Sequence, residues 1–181
     1  MPINSVQTFV KTQLNGLAFP SGVTITGEDQ TVTIPNLIAY IAPPVPGTVE
    51  LDTQPLCFIW GAHLVEDRKE MNGTNTATIG TTAGFRVLTY DCNIWIKYIL
   101  PNTQPLEDNI FPLVVDSIMQ KLRGIVYPVS ITDAITGWPS RIQLIGEHFD
   151  VTYGDVRETA DQQLWLYEAQ IIMTIKERIQ Q

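Results

Sequence analysis

Apolar and polar residues alternate along residues 84–100, and this pattern predicts one long strand. One face of the strand is apolar except for Arg86 near its start, while the other face is mixed and carries Trp95. Alternation of this kind is typical of an antiparallel strand with one face on a core and the other facing water or a partner. The apolar face consists of Leu88, Tyr90, Cys92, Ile94, Ile96 and Tyr98.

In two other segments the apolar residues recur every three or four positions, which predicts two helices. The first helix begins at Asn4 or Ser5, either of which can act as the cap, and closes with Gly16 and Pro20. The second helix follows residue 108 and ends at Gly124. Its apolar stripe consists of Ile110, Phe111, Val114, Val115, Ile118, Met119, Leu122 and Ile125.

Three more segments have the composition of strands. Residues 56–65 are apolar on both faces, which favours a central position in a sheet. Residues 142–153 alternate less cleanly, and residues 162–179 fit either a strand or a helix. The Trp, Tyr and Ile content of this last segment favours a strand.

Residues 18–55 differ from the rest of the chain because they hold six prolines. Two short β-like pieces, 23–26 and 31–34, flank a turn and suggest a hairpin. We therefore expect a single domain over residues 1–181, with 18–55 as an irregular arm or hairpin insertion. The predicted fold class is α+β, with an antiparallel four-stranded sheet, two helices on one face, and the order helix, strand, strand, helix, strand, strand.

Composition narrows the possible classes of partner. The chain is 44% apolar, but no run approaches the roughly 18–20 apolar residues of a membrane span. Its net charge of −8 argues against nucleic-acid binding, and the pair Arg68 and Lys69 is surrounded by acidic residues. The start of the chain lacks the features of a secretory signal. We therefore expect Cys57 and Cys92 to be buried thiols rather than a disulfide.

No sequence motif indicates catalysis or a bound cofactor. His63 and His148 each have acidic neighbours, but a metal site needs several such groups to converge. Asp91 and Glu168 could form an acid–base pair, but we interpret them as single charges on the polar faces of their strands. The sequence therefore predicts no catalytic residue, no metal site and no cofactor.

The strands with two apolar or mixed faces point to self-assembly. Trp95 lies on the mixed face of its strand, and Trp165 has apolar residues on both sides of it. Such strands imply a sheet that is covered on both faces, and two helices can cover only one. A second copy of the chain would be a natural cover for the other face.

Three stretches carry a resemblance to a known family. They are residues 83–91 running into 94–96, residues 111–116 at the start of the second helix, and residues 145–147 followed by 157–159. Together with the predicted order of elements, these stretches resemble the tail terminator proteins of long-tailed bacteriophages. The resemblance covers most of the chain except residues 18–55.

The resemblance implies a structural virion protein and no enzymatic activity. Such proteins form a ring, commonly of six subunits, that caps the tail tube, ends its polymerisation and joins the tail to the head–tail connector or stopper protein. DNA would pass through without specific binding, no membrane would be involved, and assembly would take place in the host cytoplasm. The alternatives are a head-completion or connector-stopper protein of the neck, or a small cytosolic enzyme or ligand-binding domain.

Seven residues are candidates for interaction with partners. They lie in the polar loop between the first two long strands, on the strand that follows it, and in the last turn. These residues are Gly73, Thr76, Thr81, Arg86, Trp95, Arg157 and Glu158.

We predict that shortening the loop 73–84 leaves the fold intact and impairs assembly, because the loop is polar and lies outside the periodic segments. The circular dichroism spectrum should not change, while the fraction of assembled rings falls. A collapse of the melting temperature would place the loop in the core and contradict the prediction.

Overall fold

The structure is a computed structural model that describes residues 3–20, 23–24, 31–41, 54–70, 84–101, 110–132, 139–158 and 164–180. Two helices lie in these ranges, α1 (Ile3–Leu14) and α2 (Ile110–Arg123). The nine strands are β1 (Val23–Thr24), β2 (Thr31–Val32), β3 (Ile38–Tyr40), β4 (Leu56–Glu70), β5 (Gly84–Pro101), β6 (Val129–Thr132), β7 (Pro139–Tyr153), β8 (Arg157–Glu158) and β9 (Leu164–Gln180).

The main sheet has seven strands and is mixed, so the predicted four-stranded antiparallel sheet is wrong. Its order is β3-β4-β5-β9-β7-β6, with β8 paired to β9 beside this path. Only the β3–β4 pairing is parallel among the described strands. The sheet curls toward a half-barrel, and the predicted order of six elements does not fit it.

Three short strands of the main sheet were not predicted from the sequence. The four long strands and both helices lie in the segments predicted for them, and residues 164–180 form a strand rather than a helix. Strands β3, β6 and β8 have three, four and two residues, too few to show a period of two. Each is recognisable only through the long strand with which it pairs.

The described parts of residues 18–55, for which an arm or hairpin insertion is predicted, include three short strands. Strands β1 and β2 pair as a small hairpin, as expected, but β3 joins the main sheet beside β4. Ile34, Leu37 and Ala39 are buried in the same core as the long strands. Because the segment holds six prolines, the sequence predicted an irregular segment rather than the three-residue strand β3.

Both helices pack on one face of the sheet, which we call the inner face. The predicted stripe of α2 is buried at Ile110, Phe111, Val114, Val115, Ile118 and Leu122, while Met119 and Ile125 pack at its margin. Helix α1 contributes Val6, Val10 and Leu14. The predicted apolar face of β5, from Leu88 to Tyr98, lies in this same core.

Two irregularities displace side chains from the alternation expected from sequence. In β4 the register shifts between Ala62 and Val65, so that one extra residue opposes β5. Val65 therefore lies opposite Thr89 and is 49% exposed, rather than sharing the face of Cys57 and Ile59. Strand β7 shifts between Ile145 and Asp150, which explains its imperfect pattern.

Cys57 and Cys92 are free and buried, as predicted. Burial raises the pKa of each thiol from its ordinary value of 9.0 to about 12, and for Cys57 the nearby Cys92 adds to this shift. A thiol with such a pKa is almost entirely protonated at neutral pH and reacts slowly as a nucleophile.

We predict slow labelling of both thiols in the folded protein. At pH 8 a disulfide reagent should react about a thousandfold more slowly than in guanidinium, because the thiolate is scarcer and buried. The raised pKa also makes the native state retain protons that the unfolded chain loses. Unfolding free energy should therefore fall as pH rises from about 9 towards 12. Rapid native labelling at pH 8 would contradict the burial.

Candidate interaction surface

The second face of the sheet, which we call the outer face, has its own apolar residues. Leu56, Phe58, Val87 and Ile99 are each less than 10% exposed, yet none belongs to the core cluster shared by the helices and the inner face. Strand pairing places Leu56 opposite Lys97 and Val87 opposite Arg178, whereas Phe58 lies opposite Trp95 and Ile99 opposite Leu166. The outer face is therefore a mixed, half-buried surface, as predicted for β5.

An aromatic stripe crosses the outer face at right angles to the strands. Tyr40, Phe58 and Trp95 occupy one row of β3, β4 and β5. The Tyr40 and Phe58 rings stack with centroids 5.5 Å apart, and the Phe58 and Trp95 rings are 5.7 Å apart. Tyr40 is 44% exposed, so the stripe runs from a covered centre to an accessible end near the edge of the sheet.

Three polar pairs connect β5 and β9 beside this stripe. Lys97 Nζ lies 3.9 Å from Glu168 Oε1 and 5.1 Å from the centre of the Trp95 ring. Gln170 Nε2 donates a hydrogen bond to Asn93 Oδ1 at 2.9 Å. These cross-strand contacts hold the outer-face side chains in fixed positions.

The third pair is a hydrogen bond from Thr174 Oγ1 to Asp91 Oδ1 at 2.8 Å. Asp91 and Glu168 do not form an acid–base pair, because Asp91 lies opposite Thr174 whereas Glu168 lies opposite Lys97. The two carboxylates are therefore six residues apart along the ladder, about 20 Å. The structure does not bring them together.

A cluster of basic residues lies at the other end of the outer face. Arg141 and Arg178 are directly opposite each other on β7 and β9, and Lys176 follows two residues away on the same face. All three are exposed. This cluster could not be found from the sequence, because its residues belong to two strands. Only the register of β7 with β9 brings them together.

A depression of about 510 Å³ adjoins the basic cluster. It is lined by Ser130, Ile131, Thr132, Pro139, Ser140, Arg141 and Arg178. Beside the depression the buried Ser140 Oγ donates a hydrogen bond to Oε1 of Glu177, which is fully buried, at 2.5 Å. Burial raises the pKa of Tyr90 in the core, and the nearby Glu177 charge adds a smaller increase.

The edge of the sheet at β3 is closed by the turn after α1. The Ala39 N–H donates to Asn15 Oδ1 at 3.0 Å, and the Leu37 carbonyl accepts from the Gly16 N–H at 2.8 Å. Gly16 adopts a φ of +78°, a left-handed conformation that glycine tolerates best. These contacts use backbone groups at the edge, which disfavours pairing with a further strand there.

The structure separates the residues predicted to contact partners. Trp95 lies half-buried on the outer face, and Arg157 is exposed in β8. Arg86 belongs to β5 and Glu158 to β8, opposite Trp165, although the side chains of both lie outside the described part. Gly73, Thr76 and Thr81 also lie outside the described residues.

The Thr174 hydroxyl provides a test of how firmly the outer face is held. We predict that Thr174→Val lowers the unfolding free energy by about 1–2 kcal/mol, because a half-buried carboxylate loses a hydrogen bond. Thr152→Val is the matched control, since Thr152 is exposed on the same face, and should change stability by about 0.5 kcal/mol or less. Equal effects in denaturant titrations would show that the Asp91 contact contributes nothing.

In the described part of the chain, neither helix is long and apolar enough to cross a membrane. Among the same residues, no three His, Cys, Asp or Glu side chains are grouped so as to hold a metal ion. No protein-family model matches the chain, and no curated protein sequence matches it either.

Proposed function

We propose that this chain is a structural subunit of the bacteriophage tail terminator type. In this proposal copies of the chain form a ring in which the outer face of one copy is covered by the next. The ring caps the tail tube, ends its polymerisation and presents a surface to the head–tail connector. The proposal rests on the sequence resemblance together with the character of the outer face.

The aromatic stripe is the observation that carries the proposal. Aromatic side chains are enriched at the centres of protein interfaces, where they bury a large area at low cost in conformational entropy. Tyr40 is accessible, whereas its neighbour Phe58 is 7% exposed. A partner that covers Tyr40 would extend an apolar surface that is already packed.

The polar pairs beside the stripe support a preformed interface. Lys97 and Glu168 have side chains that are only 18% and 15% exposed, although both are charged. Asn93 and Gln170 satisfy each other across the strands. Side chains that are ordered before association lose less entropy when the partner arrives, which favours a stable complex.

The net charge of −8 is compatible with a ring through which DNA passes. Nucleic acid binds proteins largely through Lys and Arg side chains that neutralise phosphates. An acidic lumen would let the duplex move without adhering to the wall. This role requires no catalytic group on the chain.

We predict that Tyr40→Asp disrupts the ring, because it places a charge at the exposed end of the aromatic stripe. Val126→Asp is the matched control, since Val126 is 86% exposed in the loop after α2 and away from the outer face. Light scattering on the purified proteins should show association weakened about 30-fold or more by Tyr40→Asp. The control should assemble as the wild type does, and both variants should keep the wild-type circular dichroism spectrum.

Growth of tail tubes in vitro tests the specific role. Wild-type protein added to polymerising tube protein should shorten the tubes and appear at one end by electron microscopy, while Tyr40→Asp should not. A wild type that stays monomeric and leaves tube length unchanged would overturn the proposal. Binding to the connector but not to the tube would instead indicate a stopper protein of the neck.

A further inference from the structure

The basic cluster Arg141, Lys176 and Arg178 is unexpected in a chain of net charge −8. Arg141 and Arg178 are directly opposite each other on the outer face, and Ser130 of β6 lies opposite Arg141 on the same face. These residues and Thr132 line the depression. Basic and hydroxyl side chains together on one face suit a ligand that brings a carboxylate.

The turn after β7 carries an exposed carboxylate of this kind. Tyr153 and Val156 are 51% and 41% exposed, and Asp155 between them is exposed as well. The turn is held in place, because the Gly154 N–H donates to the Glu168 carbonyl at 2.9 Å. The Tyr153 ring also packs edge-on against Phe111, with centroids 6.2 Å apart. The turn therefore presents an acidic and apolar tip on a fixed base.

The basic cluster and the turn lie at opposite ends of the same molecule. Tyr153 is opposite Ala169 on β9, while Arg141 is opposite Arg178. Ala169 and Arg178 are nine residues apart on β9, which corresponds to about 30 Å. A single chain cannot bring the two sites together, but two copies aligned head to tail can.

We propose that the turn 153–156 of one copy docks into the depression of the next, with the Asp155 carboxylate on Arg141. The contact is heterologous, because each copy gives one surface and receives the other, and such contacts close into a ring when the rotation permits. This inference rests on the proposed function and specifies which surfaces meet in the ring.

Electrostatics favours a second copy over nucleic acid as the occupant. Copies with a net charge of −8 repel one another at long range, so a local contact between opposite charges is needed where they meet. Duplex DNA would meet only three basic side chains in the cluster and the same long-range repulsion. Because the contact is partly exposed to solvent, association should weaken as salt shortens the Debye length.

Charge reversal tests the contact. Arg141→Glu and Asp155→Lys should each weaken association by about tenfold or more, because each places like charges together. Lys121→Glu is the matched control for Arg141→Glu, since Lys121 is exposed at the end of α2 and the change in net charge is the same. It should form rings like the wild type. Arg141→Gln, which removes the charge without reversing it, should give an intermediate affinity if the reversed variant fails to fold.

Mixing the two reversed variants gives the sharper result. The Arg141→Glu protein retains Asp155, and the Asp155→Lys protein retains Arg141, so an equal mixture should associate although neither protein does alone. The double variant should recover association for the same reason. If both single variants form rings as the wild type does, this contact is overturned and the proposed function still stands. A monomeric wild type would overturn both. Fluorescent duplex DNA that binds the wild type but not Arg141→Glu would assign the cluster to nucleic acid instead.

Discussion

The pairing of β5 with β9 is the contact on which the rest of the structure depends. Seventeen consecutive residues pair without a register shift, from Phe85 with Gln180 to Pro101 with Leu164. These strands are separated in sequence by α2, β6, β7 and β8, so the ladder joins distant segments of the chain, and closing that long loop carries an entropic cost. Strand β4 then adds to one side of this ladder and β7 to the other.

This ladder also gives the protein its two different faces. On the inner face, residues such as Ile94 and Ile171 are fully buried beneath the helices. On the outer face, the same strands alternate apolar residues with paired polar ones, among them Asn93 with Gln170. A sheet that orders its polar side chains on the side away from the helices has a surface suited to a protein partner, because little further ordering is required on binding.

The two proposals use different parts of that surface. The aromatic stripe lies near the β3 side, and the basic cluster lies about 20–27 Å along the strands on the β7 side. Asn15 occupies the Ala39 N–H at the edge of β3, which disfavours pairing of strands from two copies there. Contacts through the outer face and the turn 153–156 remain compatible with the described geometry.

The sequence by itself determined the positions of both helices and the four long strands, the apolar stripe of α2 and the buried thiols. These features depend on local periodicity, which each segment carries in its own residues. The position of Trp95 on the mixed face of its strand likewise follows from alternation alone. The size of the sheet, the parallel addition of β3, the face occupied by Val65 and the meeting of Arg141 with Arg178 were decided only in the tertiary structure. Strands of two to four residues have no readable period, and register across strands depends on hydrogen bonds between distant segments and on bulges that reverse the alternation.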